Sequence, residues 1–154
     1  SKGKYQRLHK CWSSLEKGKI TAAEFRSMMQ KAGFSEEEVD DFLKGISKYR
    51  TYLESIKGAP PKGMTNPHAH HILYKEGSSA AQKELVKKGQ KILREYDIDP
   101  ILGPENLTWA PHTGHSEANL KEIVDGLEKL KESGASREDI VDFLQQMGQK
   151  AAAR

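Results

Sequence analysis

Cysteine is nearly absent from this chain: Cys11 is its only thiol in 154 residues. A single thiol excludes an internal disulfide and any CxxC zinc site. Beside Trp12 in a helical pattern, Cys11 is expected to be a buried, inert thiol. Long apolar runs are missing too. Nothing approaches the ~20 residues that would span a bilayer, and no secretory signal pattern is visible, so no membrane partner is expected. The chain starts at Ser1 rather than Met, as a fragment or processed product would. Neither sign of charge is in large excess: the formal net charge is only +3, which identifies no partner by itself.

The distribution of charge says more than its sum. Residues 1–62 carry 13 Lys/Arg against 8 Asp/Glu, or +5; the remainder carries 12 against 14, or −2. The basic part could attract phosphate backbones, although an ordinary solvated surface explains it equally well. The cluster Gly58-Ala59-Pro60-Pro61-Lys62-Gly63 breaks regular structure and divides a helical extension, residues 1–62, from a second part, residues 63–154.

Periodicity predicts mostly helix. Tyr5, Leu8, Trp12 and Leu15 recur at helical spacing over 4–16, ended by Gly18. Thr21-x-x-Glu24 and Ser35-x-x-Glu38 are capping boxes that start two more helices, and a further helical stretch ends near Ile56. The Met and aromatic positions of this bundle are expected in its core. In the second part, Pro67 argues against helix, and His70–Tyr74 reads as a short strand or strand end. Residues 78–96 are helical, Asp97–Glu105 is a loop, and Asn106–Ala110 has strand composition. Pro111 to Gly114 turns the chain. Ser116 opens a helix stopped by Gly134, and Ser136-x-x-Asp139 starts a last one whose tail, Gln149–Arg154, is expected to fray. The segments from Gly33 and from Gly134 echo each other, which a shared need to stop and restart an amphipathic helix explains. Trp109 is expected in the core.

Histidine is sparse yet concentrated. Three of the six lie within residues 68–71, and His112 and His115 follow forty residues later. The order strand, long connection, strand, helix places His70 or His71 at the end of one strand and His115 at the start of a helix. Asn119 lies one turn on, on the same helical face. His70, His115 and Asn119 can form a small metal cradle. Imidazoles suit transition metals, and an amide oxygen suits magnesium or manganese. Two imidazoles and an amide leave positions open for water and a phosphate oxygen, which marks catalytic rather than structural sites. Neighbouring strand residues point to opposite faces, so His70 and His71 divide the work: one ligates, and the other takes a proton at neutral pH.

Ala69-His70-His71-Ile72-Leu73, a helix, Tyr96-Asp97-Ile98-Asp99, Asn106, His112 and His115 together resemble the AHH branch of the HNH/endonuclease VII (His-Me finger) nucleases. The likeness covers roughly residues 66–130 and rests most on Asn106 with His115 nine residues later. It implies an α+β, mostly helical protein: a ββα-metal core with an N-terminal helical bundle and C-terminal helices. It implies His70 as the first metal ligand, His71 as the general base, and Asn106 as the middle Asn that braces the loop and orients that base. His115 and Asn119 become the helical ligands. Asn119 departs from members with histidine there, which favours Mg²⁺ or Mn²⁺ and leaves Zn²⁺ or Ni²⁺ as further candidates. His112 competes as a ligand or substrate contact, and His68 could touch phosphate. The implied activity is divalent-metal-dependent endonucleolytic hydrolysis of phosphodiester bonds, DNA ahead of RNA. The implied biology is the toxin domain of a secreted bacterial polymorphic effector, acting in the target-cell cytoplasm and neutralised by an immunity protein. Two other classes stay open: a nucleic-acid-binding module with a structural metal site, and a helical adaptor in which the histidines are incidental.

Overall fold

The computed structural model describes residues 2–111 and 115–154, and they divide into two compact units at Ala59–Pro60, inside the Gly/Pro cluster. The protein is α+β and mostly helical.

The first unit holds α1 (Lys2–Glu16), α2 (Ala22–Lys31), α3 (Glu36–Gly45) and α4 (Arg50–Lys57). Both capping boxes form: Thr21 with Glu24 and Ser35 with Glu38 each satisfy a free backbone N–H of the other residue. The core is Leu8, Cys11, Trp12, Leu15, Phe25, Met29, Val39, Leu43, Tyr49, Tyr52 and Leu53, all buried. Buried Asp40 accepts from Arg26 Nη1 at 2.9 Å. Not every apolar residue expected inside is there: Tyr5, Met28 and Ile56 are exposed. Met28 precedes core Met29 by one position, and a turn of 100° carries it off the buried stripe.

The second unit holds β1 (Pro67–His71), α5 (Ala80–Glu95), a short 3-10 turn (Pro104–Asn106), β2 (Leu107–Pro111), α6 (Glu117–Glu132) and α7 (Arg137–Ala152). The strands pair antiparallel with His70 opposite Thr108 and His71 opposite Leu107. Ile72, Leu73, Val86, Leu93, Leu120, Val124, Leu127, Ile140 and Leu144 form its core, and Trp109 is buried as well. α5 ends in a Schellman motif, with Ile98 N–H on the Leu93 carbonyl and Asp97 N–H on that of Arg94. Asp97 takes the left-handed position there (φ 58), which Asp tolerates better than most side chains. The echo between Gly33 and Gly134 is this same device. At each, the glycine sits at positive φ after a helix, and a serine two residues on caps the next.

Two expectations need correction. The first strand is residues 67–71, not 70–74. Pro67 fits as its first residue, where no N–H is missed. Leu73 leaves the ladder because the Asn106 side chain takes both its backbone N–H and its carbonyl. The tail is likewise ordered: α7 runs to Ala152, Ala151 is buried, and Arg154 reaches Asn119. Helix-favouring alanines and the burial of Ala151 hold that last turn. Pro111 belongs to β2, and the rest of the expected turn, residues 112–114, lies outside the described residues.

Candidate active site

β1 and the start of α6 bring the site together. His70 lies on β1, 9% exposed, and its ring stacks on that of His115 with centroids 5.4 Å apart and planes 11° from parallel. His115 is exposed and directly precedes Ser116, whose hydroxyl caps α6 by accepting from Asn119 N–H. The cap fixes where α6 begins and so where Asn119, in its first turn, stands. The Tyr74 ring meets His115 edge-on at 4.7 Å. Its hydroxyl donates to the Ser116 carbonyl at 2.9 Å and accepts from Asn119 Nδ2 at 2.9 Å. Arg154 Nη2 donates to Asn119 Oδ1 at 2.6 Å. From α5, Gln82 Nε2 reaches the His115 carbonyl at 3.4 Å.

His71 is held differently. It is 6% exposed, and its Nε2 lies 2.8 Å from the Ile101 carbonyl. A carbonyl only accepts, so Nε2 carries the proton and the neutral ring keeps its lone pair on Nδ1. The loop that supplies Ile101 is itself stapled. Asp99 accepts from the N–H groups of Ile101 and Leu102. Asn106 Nδ2 donates to the carbonyls of Pro100 and Leu73, and Asn106 Oδ1 accepts from Leu73 N–H. Asn106 is fully buried. It therefore touches no substrate in this fold, and it ties the residue two past His71 to the loop that holds His71.

Burial pushes His71 from the ordinary 6.5 down to about 3, with the Lys75 and His70 charges adding to it against the Ile101 bond and Asp99. Burial, then the charges of His115 and Arg154, pushes His70 down to about 4. Both rings are neutral at pH 7. A neutral imidazole is the form that ligates a metal or accepts a proton.

The structure thus gathers His70, His115 and Asn119, and seats His71 and Asn106 in the interior behind β1. His68 is exposed on β1, opposite Ala110. His112 lies outside the described residues. Among the described residues no three His, Cys, Asp or Glu side chains converge as a metal site. The candidate donors are the two stacked imidazoles and the Asn119 amide, which reaches them through Tyr74 and whose oxygen accepts from Arg154. That set fits a divalent ion with positions left for water and phosphate. Tyr74 and Arg154 were missed by sequence reasoning. Tyr74 had a signal, a hydroxyl-bearing aromatic close behind the histidine pair; Arg154 had none, because α7 must fold back to bring it near.

A family model described as AHH, "a nuclease family of the HNH/ENDO VII superfamily with conserved AHH", matches residues 51–152. No curated protein and no solved structure matches. Ala69-His70-His71 supplies the eponymous triplet, and the match covers two thirds of the chain, so the protein belongs to the AHH family of nucleases.

Proposed function

We propose that this nuclease is a divalent-metal-dependent endonuclease that hydrolyses phosphodiester bonds, DNA ahead of RNA, with Mg²⁺ or Mn²⁺ as its ion. One observation carries the reading: the stacked His70 and His115 rings, with Asn119 close by in the first turn of α6. His70, His115 and Asn119 would hold the ion through two imidazole lone pairs and an amide oxygen, the last once Arg154 turns from that oxygen. An ion bound there polarises the scissile phosphate and stabilises the leaving oxygen. Arg154, beside Asn119, adds a positive charge where a phosphate would sit.

His71 is the proton acceptor in this reading, through Nδ1. The assignment comes from the Ala-His-His resemblance; burial, which lowers the ring's pKa to about 3, makes it a weaker base than an ordinary imidazole. Its low exposure makes water access the point to test. Asn106 acts as a positioning residue, holding the loop on which His71 leans.

The test separates ligand from base. His115→Ala should weaken Mn²⁺ binding to chelator-stripped protein, read by calorimetry. His71→Ala should leave that affinity within a few-fold and cut turnover by about 10²–10⁴. Retained turnover in His71→Ala removes the base role from His71, and unchanged affinity in His115→Ala moves the ligand to His112. The resemblance also carries a biological proposal: the domain is the toxin of a secreted bacterial effector, working in the target-cell cytoplasm and blocked by a cognate immunity protein.

A further inference from the structure

We infer that the outer face of α5 is a track for the phosphate backbone of the nucleic acid, running to the candidate active site. The inference deepens the nuclease reading, on which the choice of partner rests.

Charge is unevenly spread over residues 63–154, which carry 12 Lys/Arg against 14 Asp/Glu. α5 alone holds Lys83, Lys87, Lys88, Lys91 and Arg94 against Glu84 and Glu95, five against two, or +3. The rest holds seven against 12, or −5. All five cations of α5 are exposed. Lys83, Lys87 and Lys91 stand four residues apart and Arg94 three further on, which sets them in one stripe within an arc of about 80°. The stripe is about 16 Å long, with about 6 Å of rise between lysines. Glu84 borders it, and Glu95 pairs with Lys131 at 2.7 Å. Among the described residues, Lys83, Lys87, Lys88 and Lys91 form no ion pair. Elsewhere in the unit Lys121, Lys131, Arg137 and Lys150 each pair with a carboxylate. Like charges four apart also destabilise a helix, so the stripe works against the fold that carries it.

The opposite face fixes where the stripe points. Val86, Gly89, Ile92 and Leu93 are buried. Gln82 Nε2 donates to the His115 carbonyl at 3.4 Å and Gln90 Nε2 to the Lys75 carbonyl at 3.2 Å. α5 is thus fastened to the site near its start, and to the chain leaving β1 at mid-length, with its lysines outward. A backbone lying along the stripe from Arg94 to Lys83 arrives at the turn that Gln82 anchors beside His115. Charge complementarity selects that occupant: phosphates repeat at short, regular intervals, and a lysine binds each as a point charge without reading a base.

The test uses the full chain in EDTA, with labelled short DNA and RNA duplexes, and reads binding by fluorescence anisotropy over a range of salt. In the triple variant Lys83→Gln, Lys87→Gln, Lys91→Gln, the slope of log affinity against log salt should fall by about 2–3, because each phosphate contact contributes about 0.9. Affinity at low salt should fall by about tenfold or more. The variant should melt no lower than the wild type, since it removes repulsion and keeps helix-favouring side chains. A control with the same loss of charge, Lys121→Gln, Lys129→Gln, Lys150→Gln, should change the slope by less than about 1. Equal losses in the two variants would assign binding to net charge and overturn the inference. An unchanged slope in the α5 variant would overturn it too, as would a wild type that binds neither duplex. Binding with the predicted slope, in a protein that cleaves nothing with any metal, would sink the nuclease mechanism alone. Metal-dependent cleavage with an unchanged slope would sink the track alone.

Discussion

At the scale of single residues, the second unit turns on Asn106. Its amide makes three buried hydrogen bonds, two to the backbone of Leu73 and one to Pro100. Asn106→Ala strands three buried backbone groups, each costing about 1–3 kcal/mol when unsatisfied. Urea denaturation should show a loss of about 3 kcal/mol or more, and a loss under about 1 kcal/mol would mean water replaces the amide. The histidines set the response to acid. His70 and His71 titrate at about 4 and about 3 when folded, against 6.5 for an ordinary imidazole. Below pH 6.5 the unfolded chain therefore takes up protons that the folded chain refuses. The stability they contribute is fully present above pH 6.5. It declines as pH falls toward 4 for His70 and toward 3 for His71, by up to about 1.4 kcal/mol per pH unit per histidine. Urea midpoints between pH 7 and pH 5 should fall for the metal-free wild type and fall less steeply for His71→Ala. Parallel slopes would contradict the buried, neutral His71.

At the scale of elements, the helices pack closely around the chain that leaves β1. A methyl group added at Gly89 of α5 would lie 2.8 Å from both Leu73 methyls. Leu73 is fully buried, and its backbone is clamped by Asn106, so it has little room to move. Gly89→Ala should destabilise by about 1–3 kcal/mol from overpacking, less the roughly 1 kcal/mol of helix propensity gained. A rise in melting temperature would show that Leu73 yields. The helices were legible in the sequence because capping boxes and apolar spacing are local signals: Thr21, Ser35 and Ser136 each cap the helix that follows. The strand boundary was not. Ile72, Leu73 and Tyr74 have strand-like side chains, and a distant one, Asn106, takes the backbone groups of Leu73 from the ladder. The site was half legible for the same reason. His70, His115 and Asn119 follow from spacing along a strand and a helix. The interior placement of His71 needed the Ile101 carbonyl, thirty residues away, and Arg154 needed the whole of α7.

At the scale of the molecule, the division at Ala59–Pro60 gives each unit its own core. The family match begins at residue 51, within α4, whose Tyr52 and Leu53 are buried in the first unit. A chain of residues 60–154 should therefore melt cooperatively and keep its Mn²⁺ affinity. Loss of cooperative folding would show that the second unit depends on the helical extension. The measurement that bears most directly on the account is cleavage of plasmid DNA and of RNA by the purified chain, with Mg²⁺, Mn²⁺ or EDTA, beside His115→Ala. The account predicts cleavage with either ion, none in EDTA, and none by His115→Ala. Undiminished cleavage in EDTA would contradict it, as would an inert wild type on both substrates with every ion.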